Sequence, residues 1–108
     1  MTLAYYAHRY GGSAANIARA KERFAHLQPE YAARGIVLWA PWIGLAEAGV
    51  EEEICWEVID AAMGASSMLV LDRDGAPLSD GMLEEKAMAV DVELPIEEIG
   101  AESEEVES

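Results

Sequence analysis

Three short apolar runs, residues 3–7, 36–39 and 67–71, are separated by segments whose apolar side chains recur at three- and four-residue steps. This alternation constrains the fold more than any other feature, because strands linked by helices of such length imply a parallel sheet with right-handed crossovers. Ser13 is placed to cap a first helix whose inner face is Ile17, Ala20, Phe24, Leu27 and Tyr31. Pro29, lacking an amide hydrogen, predicts an end or a kink near Gln28, and Gly35 a stop. Residues 42–50, with Gly44 and Gly49, read as a loop in which residues 45–48 could form a helical turn. Glu51, Glu52 and Glu53 crowd the start of a further helix, where peptide dipoles favour negative charge; Ile54, Val58, Ala61 and Ala62 form its apolar side and Gly64 its stop. Residues 72–77 read as a turn, followed by a helix over about 81–90 and a short strand over 95–99. The expectation is an α/β three-layer sandwich around a small parallel sheet of four to five strands.

A chain of 108 residues fits one domain, here residues 1–99, followed by an acidic tail over 100–108 that has nothing to bury and is expected to be disordered. The net charge of -14 makes nonspecific attraction to nucleic acid or to an anionic membrane unfavourable. The tail glutamates do not account for all of it, so an anionic ligand needs local help from Arg9, Arg73 or backbone N–H groups. Cys55 is the only cysteine, which rules out an intrachain disulfide and a thiolate metal cluster. It reads as a small buried filler. The first residues lack the basic flank and apolar core of a signal peptide, and no stretch approaches the roughly 20 apolar residues of a membrane span, so a reducing cytoplasm is expected. Asp72 and Asp74, with no third ligand at fixed spacing, read as a turn and not as a magnesium site.

After the third apolar run comes Ser79-Asp80-Gly81-Met82-Leu83-Glu84-Glu85, which opens a helix one turn ahead of a carboxylate. An acid so placed lies at the carboxyl edge of the sheet, where ligands of α/β folds bind. Taken with Tyr5-Tyr6-Ala7, Tyr10-Gly11-Gly12, residues 16–20 and residues 37–41, the Ser-x-Gly-x-x-x-Glu spacing resembles the nucleoside 2-deoxyribosyltransferase-like superfamily, which includes 2'-deoxynucleoside 5'-phosphate N-hydrolases. The resemblance covers residues 3–99. It implies a flavodoxin-like fold, cleavage or transfer of an N-glycosidic bond, and no metal or organic cofactor.

By position in that resemblance, Glu85 is the nucleophile that attacks C1' of the sugar, a task that suits a carboxylate facing an oxocarbenium-like centre. Tyr5 orients the nucleophile or the sugar. Ser79, Gly81 and the first loop over 8–12, with His8, Arg9 and Gly11, face the substrate, and Trp39 and Trp42 are placed to stack on a base or to pack. The chain departs from the family pattern in two places. His8-Arg9 stands where a small flexible pair is common, and the acid that would protonate the leaving base has no clear match, leaving Glu57 or Asp60. The resemblance implies a homodimer or higher homo-oligomer with a nucleotide or nucleoside as ligand, Trp56 being a candidate for the subunit contact. Two other functions fit the same chain: a non-catalytic nucleotide-binding module, and a protein-interaction domain that uses the acidic tail.

Overall fold

The computed structural model describes residues 1–101. The acidic tail expected over 100–108 therefore lies, from residue 102 on, outside the described residues. In chain order the elements are β1 (Thr2–Ala7), α1 (Ala14–Ala32), β2 (Ile36–Trp39), α2 (Pro41–Glu47), α3 (Glu52–Ala65), β3 (Met68–Asp72), α4 (Asp80–Asp91) and β4 (Ile96–Ile99). The strands form one sheet in the order β2-β1-β3-β4, and every pair is parallel. This is an α/β fold with the strand order and three layers of a flavodoxin-like sandwich.

Side chains of a strand alternate between the two faces, and each face has its own core. Tyr5, Ala7, Leu69 and Leu71 pack with Trp42, Ile59, Met63 and Met82 from α2, α3 and α4. Ala4, Tyr6, Ile36, Leu38 and Val70 pack with Leu27 and Tyr31 of α1. Such a division follows from the crossovers: the chain moves one way from β1 to β2 and the other way to β3, so right-handed connections place α1 opposite α3.

Three local expectations are corrected. Pro29 does not end α1, which continues to Ala32. Ala25, whose carbonyl the missing amide would have served, is exposed like Pro29 itself, so water can satisfy it, while buried Leu27 and Tyr31 hold the last turns to the sheet. The segment after β2 is not a loop. Pro41 stands at the first turn of α2, where its fixed φ suits a helix, and buried Trp42 anchors that turn by donating from its indole nitrogen to the Tyr6 carbonyl at 2.8 Å. The apolar face of α3 is rotated from the one expected: Ile59, Ala62 and Met63 are buried, whereas Ile54 remains 46% exposed.

At the carboxyl edge of the sheet, Asp72 is part of β3 and not of a turn. It is fully buried, yet Arg23 of α1 donates to its two carboxylate oxygens at 2.8 and 2.9 Å and the Tyr6 hydroxyl donates at 2.6 Å. Asp74 beside it accepts from Arg19 at 2.7 and 2.9 Å and pairs with His8 at 3.0 Å. Arg19 and His8 hold the Asp74 carboxyl well below the usual carboxylate range against the opposing effect of burial. Gly100 closes this corner at φ +77°, and a Cβ there would fall 2.5 Å from the Asp74 amide nitrogen, so no other residue fits without movement.

Candidate functional site

Strand order reverses direction between β1 and β3, and the crevice beyond the carboxyl ends of those two strands is where such folds bind ligands. A cavity of about 570 Å³ opens there. The loop after β1 contributes Tyr10, Gly11 and Gly12, and the start of α4 contributes Ser79, Gly81 and Glu85. A second depression of about 440 Å³ lies between α1 and β4, but its charged groups already pair with one another or with the Asp72 corner, as in Arg34 with Glu97.

Ser79 caps α4, its hydroxyl accepting from the Met82 amide at 3.3 Å. That cap fixes the first turn and so sets the direction of Glu85, which is only 6% exposed although it is a carboxylate on the wall of a cavity. Among the described residues no cation pairs with it. Burial pushes its pKa up to about 8, Glu84 adds to the rise, and the neighbouring Tyr5 opposes it. Tyr5 is fully buried, and its hydroxyl is the one buried side-chain polar atom, among the described residues, without a hydrogen bond of good geometry. The phenol nevertheless lies close enough to Glu85 for the two groups to act on each other's titration: its own pKa is raised by burial, then by Glu85 and by Cys55. A buried carboxyl whose proton is held near neutrality, with a phenol beside it, is equipped to give or take a proton or to attack an electrophile once ionised.

The expected site residues divide into two groups. Glu85, Ser79, Gly81, His8 and Gly11 all line the cavity, with Tyr5 behind Glu85. Arg9 is not among the lining residues, because its guanidinium donates to the carbonyls of Arg73 at 2.6 Å and Asp74 at 3.3 Å. Trp39 is also outside it, donating from its ring nitrogen to Ser66 Oγ at 2.9 Å. Glu57 and Asp60 are exposed on α3 and do not line the cavity. The acid that α3 supplies there is Glu52. Trp56 faces the cavity and the start of α4, lying 4.0 Å from the position a Gly81 Cβ would take, and so is turned into the molecule.

Two lining residues escape sequence reasoning as site residues, Glu52 and Asp80, whereas Tyr10 belongs to the expected first loop and Trp42 stands beside the expected Trp39. A usable signal exists for α3. Glu52, Cys55, Trp56 and Ile59 stand at i, i+3, i+4 and i+7 and form one stripe, all four of them on the cavity wall. Among the described residues no lysine or arginine lines the cavity, and both ring nitrogens of His8 are engaged, with the Arg9 carbonyl at 2.9 Å and with Asp74. Among the described residues no group of three or more histidine, cysteine or acidic side chains is placed to hold a metal ion, and no helix is long and apolar enough to cross a membrane. No protein-family model matches the chain, and no curated protein matches it.

Proposed function

We propose that the protein cleaves or transfers the N-glycosidic bond of a 2'-deoxynucleoside or its 5'-phosphate, with Glu85 as the nucleophile. The observation that carries this reading is the placement of Glu85: nine-tenths buried, free of any pairing cation among the described residues, on the wall of a cavity at the carboxyl edge of the sheet. A carboxylate there can add to the anomeric carbon and leave again when water or a second base arrives. Tyr5 stands behind it to hold it in position. Ser79 and Gly81 shape the floor at the start of α4, and Tyr10, Trp42 and Trp56 supply aromatic walls of the kind on which a base stacks. The reading includes a cytoplasmic location and a homodimer, the second of which light scattering checks by mass.

Incubation with a panel of deoxynucleosides and deoxynucleotides, followed by chromatography for free base, tests the assignment. Release that falls by about a thousandfold in Glu85→Gln supports it; intact substrates throughout, or an unaffected variant, argue it away. A second reading, a binding module without turnover, draws on the exposed positions of Glu57 and Asp60, which leave the leaving base without the proton donor expected from α3. Calorimetric binding of a nucleoside without base release distinguishes it.

A further inference from the structure

The chemical character of the cavity is unusual for a nucleotide site. Glu52, Asp80, Glu84 and Glu85 line it, while among the described residues no lysine or arginine does. These acids are spread around the wall and do not gather three to a point. Between them stand Tyr10 and Trp42, whose ring centroids are 6.0 Å apart, and Trp56 from α3. Carboxylates dispersed among aromatic faces attract an organic cation, through charge at long range and through the ring quadrupole at contact. The same wall repels a phosphate. A further observation points to a ligand at this place: Glu85 is nine-tenths buried on the cavity wall, and among the described residues no cation pairs with it.

We infer that the preferred substrate is an unphosphorylated nucleoside whose base carries a fixed positive charge, such as an N-alkylated purine or a pyridinium. The inference rests on the glycosidic reading of Glu85 and deepens it. Its chemistry also removes the need for a proton donor at Glu57 or Asp60, which do not line the cavity. The Glu85 carboxylate adds to C1' as the C1'–N bond breaks, and the bonding pair passes to the ring nitrogen and cancels the positive charge. The base thus departs neutral with no proton supplied. Water then displaces Glu85 from C1' and releases one proton to solvent, which regenerates the carboxylate. A cation in the cavity further favours the ionised form of Glu85, which burial disfavours in the empty site.

The test compares the full chain on 7-methyl-2'-deoxyguanosine, 2'-deoxyguanosine and 2'-deoxyguanosine 5'-phosphate, each corrected for enzyme-free release. The expected order of kcat/KM is cation, then neutral nucleoside, then nucleotide, with at least about tenfold between the first two. Equal or faster turnover of the neutral nucleoside or the nucleotide overturns the charge preference and leaves the glycosidic reading standing. A binding arm separates the two ideas: 1-methylnicotinamide and neutral nicotinamide are titrated against tryptophan fluorescence. Tighter binding of the cation supports the charge preference even if no substrate is cleaved, and equal binding overturns it. Glu52→Gln and Asp80→Asn, which neutralise wall acids that do not act on the Glu85 titration, are expected to narrow the preference for the cation severalfold. An unchanged preference in both variants counts against the inference.

Discussion

Glu85 is the residue on which pH should act most visibly. Its pKa is about 8 in the folded protein against 4.5 for an ordinary glutamate, so within that interval the unfolded chain has lost a proton that the native one keeps. Fewer protons bound in the unfolded state means that stability falls as pH rises: the contribution is complete below about 4.5 and is lost on passing through 8. Glu85→Gln cannot ionise and should flatten this slope, matching the parent at pH 4.5 and exceeding it by on the order of 5 kcal/mol above pH 8 in urea unfolding. Catalysis runs the other way. A nucleophile must be ionised, so kcat/KM should climb with pH toward a limb near 8. Tyr5→Phe removes a neighbour that holds the Glu85 pKa down and should move that limb to higher pH, a shift that a packing role for the phenyl ring alone would not produce. That Glu85 and Ser79 share the cavity wall was legible because spacing along one helix turn is a local property. That Arg9 lies outside it was not, because its partners, the carbonyls of Arg73 and Asp74, lie more than sixty positions away in sequence.

At the level of elements, helix ends and buried pairs set the tolerances. Ser79→Ala removes the cap of α4 and is expected to cost about 1 kcal/mol, and to perturb Glu85 as well because both belong to the first two turns. The tie between α1 and β3 is stronger. Arg23→Met leaves the fully buried Asp72 with only the Tyr6 hydroxyl and the Asp74 amide, and should lower stability by about 3 kcal/mol, measured as a shift in the urea midpoint. The four strands, α1, α3 and α4 could be read from periodicity because each repeats its pattern over enough residues. α2 could not: at seven residues it is held by Pro41 and by one tryptophan reaching the Tyr6 carbonyl, neither of which repeats. The rotated face of α3 was hidden for a related reason. Ile54 and Ala61 are apolar enough to count toward a buried side, and only the presence of α4 and the cavity decides that Trp56 and Ile59 turn inward.

For the molecule as a whole, charge is the governing quantity. A chain of net charge -14 repels itself when compact, so added sodium chloride should stabilise it, by about 1 kcal/mol between low and half-molar salt. A flat urea midpoint across that range would show that the paired clusters already neutralise the excess. The layered α/β plan followed from the order of elements, but the division of its two faces did not, since it depends on which of the adjacent Tyr5 and Tyr6 looks which way. Tyr5 reaches the titrating carboxyl on one side of β1, and Tyr6, the very next residue, meets the Arg23-paired Asp72 on the other. Inserting a single amino acid into this central strand would therefore exchange the two environments at once, presenting each phenol to the wrong acid. Insertions at Gly49, beyond the end of α2, carry no such penalty, so the polypeptide tolerates editing there and not within β1.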